Sequence, residues 1–576
     1  MNNFFSFLVR NKDKLILLAF FSISLLVTLI LFGATLRGDF VLDDHSVVEM
    51  RSELHSLKNL KEIFFLPWHP EAPWAGNYRP LIMISYAINF FFSAKPAWFH
   101  VVNLFFHALN VVLIYLIVTR FSSKKTALLS AVIFMFLPIH VEPVASIVGR
   151  SDIMGATFLL WSLLLFFDKK YWWSSLVFFF ALLAKDFSIA FLPLIGVLLL
   201  IETRSFWKSF KKGLYYIVPL PFYFFCRYIA LGKYAFGGYG YIDKVIGPLA
   251  FASLKERIFT GFVHFFFYLR KSFYPVDLSP DYSYNQIPTV SNILHSYQAI
   301  IGLAIFCGLI YLIFRGKKEI KISSALLLVP FAVMSNIFFV TTGTFAERWW
   351  YFPSFGFGVL IAQGLSWLKY NLDLKFKSRK LLEYSLIATL AGAVLFWYSI
   401  LIFKLDKIWL DDRVLYMYSA EKSPNSVGAR TNAAAIYMKE KQFNKARQEI
   451  NAAVAIYDKN PATLNILGKL YWRDGDYKRA EDVFKKGIES DTRQRNYRNF
   501  YRLLAFMMMD QGRNAQALDY MKQVVNAPAY GLKENVVKTD VVLYQIIAKF
   551  QGRTIRSYSK DEINTLVAII KLVSGF

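Results

Sequence analysis

Phe99-His-Val-Val-Asn-Leu-Phe-Phe-His-Ala-Leu-Asn-Val-Val-Leu-Ile-Tyr-Leu-Ile-Val118 is the stretch that decides the fold class. From Val101 to Val118 it holds no Asp, Glu, Lys or Arg, and it reaches the roughly 17–25 residues a helix needs to cross hydrocarbon. One polar series interrupts it: His100, Asn103, His107 and Asn110, at intervals of three, four and three residues. Those intervals put the four side chains on one helical face. Polar groups on an apolar span turn toward other helices or a cavity, not toward lipid. For His107 and Asn110 the plain reading is interhelical hydrogen bonding, and a functional cavity is the alternative. Either reading predicts a helix inside a bundle.

Further apolar runs supply that bundle: Leu15–Phe32, Thr126–Ser146, Ile153–Phe167, Trp172–Ala184, Ile189–Ile201, Leu214–Leu231, Ala299–Phe314, Ser323–Val340, Tyr351–Leu368 and Leu382–Phe403. Together they predict about eleven spans in an all-α polytopic membrane bundle. The composition agrees: 56% of the residues are hydrophobic, 18% are aromatic and the mean hydropathy is +0.38, beyond what a soluble protein of this size tolerates. The first run reads as a retained anchor, since it is long for a signal peptide and lacks a small-x-small cleavage site. Lys and Arg cluster at Arg10–Lys14, Lys124–Lys125, Lys169–Lys170, Arg204–Lys212, Arg315–Lys321 and Lys369–Lys380. Basic residues favour cytoplasmic loops. Residues 33–97, 141–152, 185–188, 232–298, 341–349 and everything beyond 403 are therefore expected on the opposite side. This requires Ile258–Phe273, which contains Arg270 and Lys271, to be interfacial or re-entrant. The net charge of +26 is partly this topology signal, and no basic-aromatic surface stands apart from the membrane flanks. No nucleic-acid partner is expected. Cys226 and Cys307 fall within apolar runs and read as small apolar residues.

From Ser426 onward the pattern changes to a period of about 34 residues. Ala434, Tyr437 and Ala446 recur as Gly468, Tyr471 and Ala480, and a stretched third copy has Ala505, Met508 and Ala517. Small residues at such points let paired helices approach, and the aromatic fills the groove between them. The expected division is a membrane domain at 1–404, a linker at 405–425 and a repeat domain of two or three repeats at 426–576.

Ionisable groups concentrate at the ends of spans opposite the basic clusters. Arg37-Gly-Asp-Phe-Val-Leu-Asp43-Asp44-His45 follows the first span. Adjacent carboxylates repel, which tends to raise one pKa and suits a general base or a metal ligand. A solvated helix N-terminus is the plain alternative. Asn77-Tyr-Arg79-Pro precedes an amphiphilic segment. Pro138-Ile-His140-Val-Glu142-Pro and Gly149-Arg150-Ser-Asp152 put four ionisable groups in one short turn, and Lys185-Asp186 and Glu347-Arg348 add two opposite-charge pairs. Each could be a structural ion pair. Their common side describes a polar cavity roofed by loops, able to hold an anionic headgroup.

Phe40-Val-Leu-Asp43-Asp44, Tyr78-Arg-Pro-Leu81, Phe99-His-Val-Val-Asn103-x-x-x-His107 and Pro138-Ile-His140-Val-Glu142 through Arg150-x-Asp152 come first in a set of motifs. Ala184-Lys-Asp186, Leu278-Ser-x-Asp281-Tyr-Ser and Ala346-Glu-Arg348-x-x-Tyr351-x-Pro-Ser complete it. In that order, with repeats behind the last span, the set resembles the transmembrane and tetratricopeptide-repeat O-mannosyltransferases of the GT-C superfamily. The resemblance implies a GT-C-like bundle with a tetratricopeptide-repeat α-solenoid on the extracytoplasmic side. It also implies a sugar, mannose or similar, carried on a polyprenyl phosphate and transferred to a hydroxyl, with protein Ser/Thr as the acceptor. Asp43 would be the general base and Asp44 its support. Arg348, Arg150, Arg79 and Lys185 would contact phosphate or sugar, His140 and Glu142 would shape the sugar site, and Asp152, Asp186 and Glu347 would complete the substrate site. No metal or other cofactor is expected beyond the lipid-linked donor. The expected partners are that donor, membrane lipids and a protein or peptide held by the repeats. A cell-envelope glycan or lipid acceptor, or a non-catalytic scaffold, are the competing readings. Compact loops and a short array point to a bacterial inner membrane with periplasmic repeats. In a eukaryote the counterpart is the endoplasmic reticulum with lumenal repeats.

Overall fold

Helix Pro96–Val118 begins with a proline at its first turn, where the missing N–H costs nothing, and runs 23 residues. At about 1.5 Å per residue it is long enough to span hydrocarbon. Its polar face turns inward as the spacing predicts, and His100, Asn103, His107 and Asn110 are all fully buried. His100 meets the Thr35 hydroxyl at 3.0 Å, and Asn103 donates to the Ser146 carbonyl at 2.9 Å. His107 and Asn110 share the Tyr351 hydroxyl at 2.8 and 3.1 Å. The hydrogen-bonding reading therefore holds for these two. They fasten three stretches of chain that are far apart in sequence.

The computed structural model describes residues 12–70, 72–236, 243–338, 340–341, 343–375, 380–491, 497–526 and 543. Arg10 of the first basic cluster and most of the repeat domain beyond Asn526 lie outside the described residues. All regular elements among the described residues are helical. Among the described residues seven helices are long and apolar enough to cross a membrane: Lys14–Leu31, Pro96–Val118, Arg150–Phe167, Asp186–Thr203, Phe206–Tyr234, Tyr297–Arg315 and Ala388–Leu410. Counting the pair Lys124–Met135 and Pro138–Ala145, bent by 56°, as one span makes eight.

The expectation of about eleven spans is thus not met by length and composition, for local reasons. The run from Thr126 breaks ahead of Pro138, since a residue before proline is pushed out of the helical region. Tyr171–Ala184 has 14 residues, about 21 Å of helix against a hydrocarbon core of about 30 Å. Lys318–Met334 and Pro353–Lys375 carry Ser, Gly, Gln and charged residues that lipid would penalise, and they meet each other inside the protein. A Cβ on Gly356 would lie 2.3 Å from the Leu327 backbone nitrogen, so only glycine permits that approach.

Leu254–Phe273 starts with a capping box, Ser253 and Glu256, and runs as one helix. Chain near both its ends meets the segment 277–290: Tyr284 N–H donates to the Val245 carbonyl (2.8 Å), Val290 N–H to Thr260 (2.9 Å), and Lys271 to the Asp277 carbonyl (2.5 Å). The segment therefore runs back along the helix, from Lys271 toward Thr260.

Residues 405–425, expected as a linker, form a 3-10 turn, Lys407–Leu410, and a helix, Asp412–Lys422, with Leu415 and Ser419 buried. Three helical hairpins follow, from Val427–Lys439 to Asn514–Asn526. Ala434, Ala446, Ala480, Ala505, Met508 and Ala517 are fully buried. A Cβ on Gly468 would stand 2.2 Å from the Phe484 ring, which is the close approach the period implies. The array docks on the membrane domain. Val427 N–H donates to the Tyr284 carbonyl (2.6 Å), Asn285 N–H to the Asn425 carbonyl (2.9 Å), and Ser283 and Ser426 share a hydrogen bond of 2.7 Å.

Candidate functional site

Leu42 has φ +52°, a left-handed conformation rare for a branched side chain, and the two carboxylates that follow it on a helical turn diverge. Asp43 is exposed, whereas Asp44 is fully buried. Asp44 accepts backbone N–H bonds from Val148 (2.8 Å), Val41 (3.2 Å) and Ile147 (3.4 Å), stitching the first loop to the turn before Arg150. Burial pushes its carboxyl up to about 7, against those three donors, and Asp43 adds in the same sense. The expected rise in one member of the pair is present, with burial as its main cause.

Pro138 starts a 3-10 turn, Pro138–His140, that leads into the short helix Val141–Ala145, which presents Glu142. Glu142, 3% exposed, pairs with the Arg348 guanidinium and accepts the Arg348 backbone N–H at 2.9 Å. The Arg348 side chain stays 38% exposed. Lys185 pairs with Asp152 at 2.9 Å and donates to Ser151 at 3.3 Å. A Cβ on Gly155 would be 2.9 Å from the Lys185 Cβ, so glycine there gives the lysine its path. Burial first, then the neighbouring Arg79, draw the Lys185 ammonium down to about 8, while Asp152 opposes them. Arg79 reaches Asp186 at 3.1 Å and Ser151 at 3.4 Å, with its guanidinium 4.8 Å from the Trp68 ring.

These groups form one electrostatic unit. Arg348 feels Glu142, Asp152 and Asp43, and Lys185 feels Arg79, Asp152 and Arg348. Beside them lies a narrow cleft with about 30 Å³ of open space. Asp152, Lys185 and Arg348 form its polar part, and Leu159, Met334, Trp349 and Phe352 form an apolar wall. A lining that combines two cations with apolar side chains suits an amphiphile with an anionic head.

Three expected site residues sit elsewhere. Arg150 is fully buried: it donates to Asn103 (3.0 Å), Ser85 (3.1 Å), Asn89 (2.6 Å) and the Phe99 carbonyl (2.8 Å), with its guanidinium 4.6 Å from the Tyr86 ring. His140 is fully buried against Phe134 and Tyr351 and bonds Ser354 at 2.8 Å. Glu347 turns away from its neighbour, accepting Ser279 N–H (2.8 Å) and the Tyr282 hydroxyl, and burial pushes it up to about 8. With Glu142, Trp409 and Tyr418 it lines a second, smaller crevice.

Arg227 was missed. It pairs with Asp186 at 2.6 Å and donates to the Gly76 carbonyl at 2.5 Å, so Asp186 is shared by two guanidinium groups. Its signal was an arginine inside an apolar run, a position that demands a partner. Among the described residues no group of three or more His, Cys, Asp or Glu side chains converges as a metal set would.

Residues 461–493 match the tetratricopeptide repeat family. The human protein O-mannosyl-transferase TMTC3 is 24% identical over 503 residues, covering 77% of this chain and 52% of that protein. Human protein O-mannosyl-transferase TMTC1 is 25% identical over 494 residues, covering 76% and 55%. Protein O-mannosyl-transferase tmtc2 of Xenopus laevis is 33% identical over a shorter 144 residues, 24% of this chain. The chain is thus an all-α integral membrane protein carrying tetratricopeptide repeats behind its last span. Relatives and repeat together support one family for it, the TMTC-like tetratricopeptide-repeat O-mannosyltransferases. The chain spans about half the length of the curated relatives it matches.

Proposed function

We propose that the protein is a membrane glycosyltransferase that moves mannose or a similar sugar from a polyprenyl phosphate to a protein Ser/Thr hydroxyl on the extracytoplasmic face. The observation that carries this reading is the cavity in which Lys185 and Arg348 face an apolar wall, electrostatically coupled to the exposed Asp43. The lipid phosphate lies on the two cations and the isoprenoid runs along Leu159, Met334 and Phe352. Asp43 takes the proton of the acceptor hydroxyl as that oxygen bonds to the anomeric carbon. The bond from that carbon to the phosphate oxygen breaks, and its electron pair leaves with the phosphate. Negative charge grows on the departing oxygen, so Arg348 and Lys185 stabilise the transition state more than the bound donor. General-base assistance adds about 10²–10⁴-fold. The reading needs no metal, since these cations supply the positive charge.

Glu142 holds Arg348 in place through both its side chain and its backbone N–H. Asp186, between Arg79 and Arg227, fixes the far side of the Lys185 group. The basic-loop pattern supports an extracytoplasmic site, and the compact loops favour a bacterial inner membrane with periplasmic repeats. The repeats, docked on the same face as the Asp43 loop, are the natural place for a protein acceptor.

The test is transfer by the purified protein in nanodiscs, given polyprenyl-phosphate mannose and either a Ser/Thr peptide or an envelope glycan. A peptide gaining one hexose by mass spectrometry supports the reading. Transfer only to the glycan would replace the acceptor, and transfer to neither would remove the reading.

A further inference from the structure

Between its last span and its repeats the chain runs back along the loop that carries Asp43. Asp406 accepts the Thr35 N–H at 3.0 Å, the Leu410 carbonyl accepts the Asp39 N–H at 3.0 Å, and Asp412 accepts the Leu42 N–H at 2.9 Å. The approach is close at Gly38, where a Cβ would stand 3.1 Å from the Thr35 carbonyl oxygen and 3.3 Å from that of Trp409. The second oxygen of Asp412 meets His45 Nε2 at 3.0 Å, and His45 Nδ1 meets Glu49 at 2.5 Å. One carboxylate therefore grips residues 42 and 45, the two positions that flank Asp43 and Asp44. The left-handed backbone of Leu42 is a conformation that surrounding structure must hold. The bond from its own N–H to Asp412 is that hold.

We propose that Asp412 and His45 are positioning residues for the Asp43 carboxylate, so that Asp412 belongs to the transfer site rather than to a tether to the repeats. The inference rests on the reading of Asp43 as the base. Its neighbour Asp411 provides a contrast, because its side chain caps the helix Asp412–Lys422 through the Val414 N–H at 3.0 Å. Two adjacent aspartates thus do separate work: one starts a helix and one holds a loop.

His45 gives the grip a pH dependence. The charged groups facing it are Glu49 from its own segment and Asp412 from the post-span helix. Burial opposes protonation, yet the hydrogen bonds to these two carboxylates raise its pKa above the usual value. A protonated imidazole donates to both carboxylates, whereas a neutral one has a single N–H and loses one bond. The grip is complete at low pH and loosens as pH rises through the raised His45 pKa.

The experiment uses the full chain in nanodiscs with polyprenyl-phosphate mannose and a Ser/Thr peptide, alongside hydrogen exchange of the amides at 41–46. Asp412→Ala is expected to lower kcat by about tenfold to a hundredfold, the cost of a misplaced catalytic group. Donor KM should stay within about twofold, because the phosphate cations are untouched. Exchange at 41–46 should quicken. Asp412→Asn, which keeps an acceptor for Leu42, should restore much of kcat. His45→Gln should flatten the alkaline fall of kcat, and Asp411→Ala should leave kcat unchanged. Normal kcat with normal exchange in Asp412→Ala would overturn the proposal, as would an equal loss in Asp411→Ala. Asp43→Asn, measured in parallel, separates the two ideas. Wild-type turnover there would remove Asp43 as base and this proposal with it, whereas a dead Asp43→Asn beside a fully active Asp412→Ala would remove only the strap.

Discussion

Arg348 and Arg150 both stand at the head of the bundle, beside acidic residues in the sequence, and the fold uses them in opposite ways. Arg348 has a buried carboxylate beneath it and keeps more than a third of its side chain open beside the Lys185 cavity. Arg150 has only neutral acceptors, lies against the Tyr86 and Phe99 rings, and is closed to solvent. A guanidinium with four of its five N–H donors on amide, hydroxyl and carbonyl oxygens, and none of it open to solvent, is out of a ligand's reach. One held by a carboxylate from one side still offers the other. The same residue type is thus open beside a cleft in one place and closed within the bundle in the other.

Substitutions sharpen that contrast. The largest effect is expected at the base: Asp43→Asn should fold and insert normally yet lower transfer by at least about 10²-fold. Near-normal turnover would remove it from the mechanism. Next, Arg348→Lys, which keeps a cation over the buried Glu142 but loses the guanidinium fork, should lower kcat/KM by about tenfold to 10²-fold, with little change in Tm. Arg150→Met should invert the pattern, destabilising the protein by about 3–5 kcal/mol, since its four acceptors are left buried without a donor. The fraction that folds should keep the wild-type donor KM. If the two variants behaved alike, the division between the open and the closed arginine would fail.

Smaller effects come from charge state and from the repeats. Lys185 is held at about 8, so it is charged below that pH and neutral above it. Donor KM should be flat at low pH and rise through about 8, and Lys185→Arg should abolish that rise. A rise that persists in Lys185→Arg would assign it elsewhere. Deleting residues 426–576 should raise KM for a long acceptor far more than for a short peptide, because a tethered groove supplies millimolar effective concentration. Equal losses for both acceptors would make the array a cap on the loops instead.

The sequence carried the parts of this account that depend on local period. The His100, Asn103, His107 and Asn110 face and the Ala434/Ala446, Gly468/Ala480 and Ala505/Ala517 series follow from spacing, and each side chain lies where its period puts it. The span count did not follow. Helices such as Lys318–Met334 are sheltered by protein, and hydropathy cannot distinguish a sheltered helix from one that lipid touches. Pairings across hundreds of residues were equally hidden: nothing in Asp412 announces Leu42 and His45, and nothing in Glu142 announces Arg348. Asp44 and Asp43 look equivalent as neighbours. They follow Leu42 on a helical turn, where adjacent side chains diverge, and the fold buries one and exposes the other.

The central claim is that the cavity beside Arg348 and Lys185 holds a lipid phosphate, and a cryo-EM map of the protein in nanodiscs supplied with polyprenyl phosphate tests it most directly. The account predicts phosphate density within hydrogen-bond distance of both cations, with the isoprenoid along Leu159, Met334 and Phe352. A phosphate bound elsewhere, or this cavity unfilled while the lipid is bound, would contradict it.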